Sequence, residues 1–426
     1  MVSGDGVGEP GAAAVVLAAE VRRLRRDRGL SQPQLAQRVG YTRQYISLAE
    51  RAHRNLPSAE LIRALDAALG ADGALIGLRG EAKSEQRTRR AKLADAPISK
   101  PTTHGSPVDD LCDLLMDYSC QPDTVPDAPL SLADLRRDLE RCFDAYQQSR
   151  FSVAANRVCT LLSDTAVASR EVPAAERQGV EVVRALAYQA AAAVLTKTRD
   201  LDLAWIAAER GLAAAQLAGD PVVRGSLMRS AAFAMLSCGR LEAAMRQIES
   251  AAHDMKPTLN GGDRALSVYG MLFLAGSMAA ARFGDSDRTA DYLREADDTA
   301  RRLGRDGNEL WTAFGPTNVA IHRVNTATEL DDFQTVLNAQ PLGNASVPLE
   351  RRTRYLIDIA RAQSLTGRRD EALSTLFAAE RDAPEHVRQH HVARTVVAGL
   401  VKSTRGKPGV GLDRLAQRLD VAGARP

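Results

Sequence analysis

SQPQLAQRVGYTRQYISLAER, residues 31–51, is the stretch that decides the fold at the N-terminal end of this chain. Ser31 and Thr42 are of the residue types that cap helix N-termini, and Gly40 suits the left-handed backbone of a tight turn. Ala36 is small, as a close crossing of two helices requires. The spacing predicts two helices joined by a short turn.

Each of the two predicted helices has an apolar face and a polar face. We expect four of them to face inward, namely Leu35, Val39, Ile46 and Ala49. Arg43, Gln44 and Ser47 then lie on the outer face of the second helix, and these side chains can read base edges in a major groove of DNA. The alternative is two ordinary helices joined by a tight turn.

The flanking sequence predicts two more helices around this pair. Upstream, apolar residues recur at helical spacing before Gly29, at Val16, Leu17, Val21 and Leu24. Downstream, Ser58 caps a helix that Gly70 ends, with Leu61, Leu65 and Leu69 on one face. The prediction is a small all-α bundle over residues 12–78, after a flexible N-terminus at residues 1–11.

LRRDRGLSQPQLAQRVGYTRQYISLAERAHRNLPS and ELIRALDAALG together resemble the Cro/C1-type (XRE) family of bacterial regulators. The resemblance implies that Gln32 meets the DNA backbone and that Arg43 and Gln44 read bases. The sequence departs from the family pattern at Ala52 and Leu48. The full set of DNA-binding candidates is Gln32, Thr42, Arg43, Gln44, Tyr45, Ser47, Arg51 and Arg54.

Charge favours the same interpretation. Residues 20–54 contain nine arginines and three acidic residues, whereas the whole chain of 426 residues carries a net charge of only +3. A basic domain on a mildly acidic body is typical of phosphate binding. A solvated arginine-rich face is the alternative for the RRLRR run taken alone.

Composition limits the other function classes. The polar N-terminus predicts no signal peptide, and no apolar run reaches the length of a bilayer span, so we expect a cytoplasmic protein with no membrane contact, nucleoid-associated when bound to DNA. The five cysteines are widely spaced, which favours free thiols over a redox switch of Cys112 and Cys120. We find no phosphate-binding loop, no nucleophile elbow and no paired carboxylates, and we predict a protein that is not an enzyme and needs no cofactor.

Residues 79–130 are polar and broken by prolines, and we interpret them as a linker with a short helix near Val108–Tyr118. From Ser131 onward a pattern repeats: a turn residue is followed five and nine positions later by a small or apolar residue. The turn residues are Ser149, Arg199, Gly239, Gly284 and Gly367, with a weaker copy at Asn325. This predicts an α-solenoid of tetratricopeptide-like helical hairpins over residues 131–401 and a tail at 402–426, the alternative being a plain helical bundle.

LFAAERDAPEHVRQHHVARTVVAGLV, residues 376–401, resembles the closing segment of actinobacterial regulators that combine a Cro/C1-type N-terminus with tetratricopeptide-like repeats. That architecture is similar to the peptide-responsive regulators of quorum sensing, whose concave repeat face holds a signalling peptide and whose repeats dimerise. The resemblance implies a homodimer and a peptide or small-molecule ligand.

Two polar stripes at helical spacing are candidates for the ligand site: Asn318, His322 and Asn325, and Arg354, Asp358 and Arg361. Asparagine amides pair with a peptide backbone, and arginine clamps a carboxylate. Solvated helix faces or contacts between repeats are the alternative. His386, His390 and His391 lack further ligands, so we predict no metal site and a solvated histidine cluster.

Two functions follow from these observations. The first is a sequence-specific transcriptional regulator that binds double-stranded DNA at an inverted-repeat operator, dimerises and responds to a ligand through its helical repeats. The second is a protein-interaction scaffold whose repeats bind a partner protein, with the basic domain as a tether.

Overall fold

A computed structural model of the chain describes residues 11–51, 56–94, 106–117, 130–343, 347–404 and 409–421, with backbone alone at Gln44 and 86–94. Over these residues the secondary structure consists of helices and turns, with no strand. The all-α prediction is confirmed. The chain divides into two compact units, residues 1–102 with 327–335, and residues 103–326 with 336–426.

The first unit is a bundle around the helix-turn-helix. Its helices are α1 Ala12–Asp27, α2 Gln32–Val39, α3 Arg43–Ala49, α4 Ala59–Leu69 and α5 Ala74–Ala94. Two of the three predicted N-caps are confirmed: Ser31 forms a capping box with Gln34, and the Ser58 hydroxyl accepts from Leu61 N at 3.1 Å. Gly40 ends α2 with φ 72°. Leu17, Leu35 and Ile46 meet in the core, whereas Val16 is exposed, contrary to prediction.

Helix α5 corrects the predicted linker, because residues 79–94 continue a helix that packs on α1 and α4. Leu75, Arg79 and Ala82 are its buried face, and Glu85 accepts hydrogen bonds from the first amides of α1 at Ala12 and Ala13. A carboxylate at a helix N-terminus satisfies donors that have no partner in the helix. These buried residues recur at helical spacing in the sequence, but the polar composition of the segment favoured the interpretation as a linker.

The second unit opens with a helix of the predicted linker, α6 Pro107–Met116, which packs on α8. Successive hairpins follow, with the helices α7 Leu132–Gln147, α8 Phe151–Glu171, α9 Ala174–Thr198, α10 Leu201–Ala218, α11 Pro221–Ser237, α12 Leu241–Met255, α13 Asp263–Phe283, α14 Ser286–Leu303, α15 Pro316–Glu329, α17 Leu349–Leu365 and α18 Arg369–Asp382. The last residues of α15 and the first of the short helix α16 Phe333–Leu337 belong to the 327–335 segment of the first unit. From α7 to α13, the first helix of each hairpin packs against the first helix of the next. This is a helical repeat region.

The repeated turn residues explain the hairpins. Ser149, Arg199, Gly239, Gly284 and Gly367 all have the left-handed backbone, with φ between 59° and 92°. Five positions after each turn the side chain is buried against the partner helix, as at Ala154, Ala204, Ala244, Thr289 and Ala372. The sixth copy is wrong: Asn325 lies inside α15, and the left-handed residue of that hairpin is Asp331, with φ 62°.

The C-terminal end is also helical. Helices α19 Pro384–Gln389 and α20 His391–Lys402 are followed by α21 Val410–Arg418, which packs on α20 through Leu412 and Leu415. The predicted tail at 402–426 is therefore wrong over α21, whose apolar face was not recognised. Among the described helices, α13 is long and apolar enough to cross a membrane, but 83% of that window is buried in the packing of the unit.

Candidate nucleic-acid interface

The second helix of the helix-turn-helix, α3, is held from its inner face. Ile46 and Ala49 are buried in the core of the first unit, and Tyr45 packs its ring edge-on against Tyr41. Thr42 precedes the helix with extended backbone, at the predicted N-cap position, but its side chain makes no capping hydrogen bond. Packing in the core thus fixes the inner face of α3. The Thr42 hydroxyl does not cap the helix.

The opposite face carries the predicted base-reading side chains. Arg43 and Arg51 are exposed, Ser47 is half-buried, and Leu48 is 54% exposed. The apolar Leu48 side chain on this face has the chemistry for contact with a thymine methyl group. The Gln44 side chain and Arg54 lie outside the described residues.

Glu50, directly after α3, ties the helix-turn-helix together, and the sequence interpretation missed it. Its carboxylate, 3% exposed, pairs with Arg25 of α1 and accepts from Gln32 Nε2 of α2 at 3.0 Å. Its carbonyl oxygen accepts from Arg22 Nη2 at 2.6 Å. Burial by itself would raise the pKa of Glu50, but the hydrogen bonds from Arg25 and Gln32 outweigh it and hold the pKa below its usual value. One buried carboxylate therefore joins all three helices.

Two predicted DNA contacts have partners inside the first unit. Gln32 is half-buried and donates to Glu50, so its side chain supports α3. The Tyr45 hydroxyl donates to Gln334 Oε1, in the 327–335 segment of the same unit. DNA contact by either residue stays a prediction.

The acidic residues of the basic region are all engaged by arginine. Arg23 contacts both Glu20 and Asp27 at 2.6 Å, and Arg25 pairs with Glu50. Within the described residues, a set of exposed arginines forms no ion pair with a carboxylate: Arg26, Arg28, Arg38, Arg43 and Arg51. The net positive charge of the segment therefore resides on side chains that solvent reaches.

The predicted ligand residues lie in the second unit and are largely buried. Asn318, His322 and Asn325 are each at most 6% exposed, Asp358 is fully buried, and Arg354 and Arg361 are half-buried. The two stripes meet, because the Asn325 amide, oriented by its hydrogen bonds, donates to Asp358 Oδ2 at 2.9 Å. Arg354 Nε donates to the same oxygen at 3.0 Å.

The prediction of a solvated histidine cluster is wrong for two of its three members. His386 and His390 are 1% and 8% exposed, and only His391 is exposed. His386 lies edge-on against Phe151, with its Nδ1 3.3 Å from Ser149 Oγ. Burial here depends on Ser149 and on Phe151 of α8, more than 200 residues earlier in the chain, so local spacing did not reveal it.

Comparison with known proteins agrees with this geometry. No curated protein and no solved structure matches the chain. Residues 16–77, which span α1 to α4 and the start of α5, match a family described as a helix-turn-helix domain. The N-terminal part of the chain is therefore similar to helix-turn-helix domains in both sequence and fold.

Proposed function

We propose that this protein is a sequence-specific transcriptional regulator in which α3 enters the major groove of an operator. The observation that carries the proposal is the exposed Arg43 at the first position of α3, in a helix whose other face is fixed in the core. In helix-turn-helix proteins the N-terminal residues of the second helix contact base edges, and arginine bound to guanine is the commonest specific contact.

The charge of the domain supports a second part of the interaction. Exposed arginines without a carboxylate partner, such as Arg26, Arg38 and Arg51, are suited to phosphate contacts that position the domain. These contacts carry affinity without sequence information. Specificity then rests on the outer face of α3.

Dimerisation and ligand response belong to the same proposal. One small domain buries roughly 600–1,000 Å² on DNA, and pairing on an inverted repeat with half-sites about 34 Å apart is the usual remedy. The polar residues buried among the repeats, such as Asn325 and Asp358, support a sensing role for the second unit. We propose a cytoplasmic, non-catalytic protein that associates with the nucleoid when bound.

Selection of genomic DNA fragments by the purified protein tests the proposal, at about 150 mM salt because this binding is salt-dependent. An enriched inverted repeat with half-sites one helical turn apart is the expected result. Sedimentation of the complex should then give two protein chains per site. Recovery of fragments without a common motif would contradict sequence-specific recognition.

Replacing Arg43 with alanine tests the role of the outer face. We expect a loss of about 1–3 kcal/mol in operator binding and relaxed preference at one base pair, because a bidentate base contact disappears. The matched control is Arg23→Ala, which removes an exposed arginine already paired with Glu20 and Asp27. Fluorescence anisotropy on operator variants measures both; an equal loss for the two variants would show that charge alone matters.

A further inference from the structure

Charged side chains lie inside the second unit, on the first helices of the hairpins. Glu350 and Arg229 are buried, whereas Lys197 and Arg351 are partly exposed. Lys197 of α9 pairs with Glu350 of α17, and Arg351 Nη1 lies 3.1 Å from the other oxygen of Glu350. Arg229 of α11 interacts electrostatically with Arg351, Glu350 and the Tyr146 hydroxyl of α7. Residues far apart in sequence thus form one polar cluster.

The cluster has more positive than negative charge. Glu350 pairs with both Lys197 and Arg351, so its single negative charge already faces two cations before Arg229 is counted. Burial, followed by the positive charge of Arg351, lowers the pKa of Arg229 to about 10, which keeps it a cation at neutral pH. Of the three cations Arg229 is the buried one, and a buried cation outside an ion pair is unfavourable unless an anion compensates it.

Arg229 is the member whose buried Nε has no hydrogen-bond partner among the described residues, while its guanidinium carbon lies 5.9 Å from the centroid of the Phe233 ring. It is 8% exposed, and within the described part of the chain it makes no hydrogen bond or ion pair. One helical turn earlier, Ser226 donates to Gln189 Oε1 at 2.6 Å, which leaves the buried Gln189 Nε2 without an acceptor. Donors without acceptors are rare in protein interiors, and here they neighbour an excess of cations.

We propose that Arg229, with Arg351 and the Tyr146 hydroxyl, forms a binding site for the oxyanion of a small molecule, a carboxylate or a phosphate group. The planar guanidinium presents paired N–H donors that match either oxyanion, and the anion would neutralise the excess charge. Binding itself is independent of DNA.

Thermal unfolding of the full chain tests the site, with inorganic phosphate and acetate as separate probes against chloride at matched ionic strength. We expect a saturable rise in Tm with at least one of them, and the effective probe identifies the group as phosphate or carboxylate. In Arg229→Met the apparent Kd should weaken at least tenfold. The control Arg224→Met removes an exposed arginine of the same helix, paired with Asp254, and should bind as the wild type does.

The free protein provides a second readout. In chloride, Arg229→Met should unfold at or above the wild-type Tm, because a buried cation without a carboxylate partner is removed. If Arg229→Met does not fold, Arg229→Lys retains the charge without the guanidinium fork and should still bind less tightly than the wild type. No saturable shift with either anion, or an unchanged shift in these variants, would overturn the proposal.

Two control measurements distinguish failure of the proposed anion site from failure of the proposed regulator function. The basic helix-turn-helix domain also attracts anions, so Arg43→Ala is included and should retain the full anion-induced shift. Operator binding by Arg229→Met in chloride should equal that of the wild type. Absence of the anion-induced rise in Tm, with DNA recognition intact, would contradict the proposed anion site alone. Absence of operator recognition, with the rise in Tm intact, would contradict the regulator proposal alone.

Discussion

At the scale of single residues, Glu50 shows how a side chain outside the interface shapes it. Its carboxylate holds Arg25 and Gln32 while its carbonyl oxygen holds Arg22, so α1 and α2 are fastened to the end of α3. Glutamate at such a position is ordinarily taken for solvated surface. The orientation of the exposed α3 face therefore depends on a buried charge that never touches DNA.

Replacing Glu50 with glutamine should lower the free energy of unfolding of the first unit by about 3 kcal/mol, because Arg25 loses its buried carboxylate. The pKa of Glu50 is lower in the folded protein than its value near 4.5 in the unfolded chain. This stabilisation is therefore fully present at pH values above 4.5 and is lost as the pH falls through the folded pKa. Urea unfolding at neutral pH and near pH 3 measures the difference, which should shrink in acid.

Glu20→Gln is the control for this prediction. Glu20 pairs with Arg23 at the exposed face of α1, where an ion pair contributes less than about 1 kcal/mol. A loss at Glu50 no larger than the loss at Glu20, or one that persists unchanged at low pH, would contradict the role assigned to the buried carboxylate.

At the scale of elements, the hairpin turns were the best-predicted feature of the second unit. A left-handed residue ends each first helix, and the small or apolar residue five positions later sets the crossing. Both requirements are local, so the sequence displays them directly. The prediction of a turn at Asn325 was wrong because asparagine tolerates the left-handed backbone but also occurs in helices. The left-handed residue of that hairpin is Asp331.

The turn residues predict opposite effects of two substitutions. Gly239→Ala should destabilise the second unit by about 1 kcal/mol, because φ is 74° and an added Cβ meets no atom within 4 Å, so backbone strain is the whole effect. Arg199→Gly, at an exposed residue with φ 69°, should stabilise it by about 0.5–1 kcal/mol. Urea denaturation of both variants checks the signs; equal signs would contradict the turn geometry.

At the scale of the whole molecule, the buried histidines make stability depend on pH. Burial lowers the pKa of both His322 and His386 to about 3, so they stay neutral in the folded protein. In the unfolded chain these histidines have the ordinary pKa of 6.5, so they take up protons as the pH falls below that value. The contribution of these histidines to stability is therefore full well above pH 6.5 and falls as pH decreases, with a slope that approaches about 1.4 kcal/mol per pH unit for each histidine.

His386→Gln tests this pH dependence. Urea unfolding between about pH 5 and 7, above the range of most carboxylates, should show an average slope reduced by about 1 kcal/mol per pH unit, because the unfolded histidine is only partly protonated near pH 6.5. His253→Gln, at an exposed position of α12, serves as the control and should leave the slope unchanged. Identical slopes in the wild type and His386→Gln would show that this histidine is free to protonate in the folded protein.

The sequence by itself determined the features that arise within a few residues: the caps at Ser31 and Ser58, the turn at Gly40, the left-handed hairpin turns and the all-α class. Hydrogen bonding and backbone preference act over such short separations, so each leaves a local pattern. Tertiary structure decided which polar residues are buried. Glu50 lies 25 residues from Arg25, and Glu350 lies 153 residues from Lys197. The environment of a charged side chain depends on which helices pack around it, and that is a property of the folded chain.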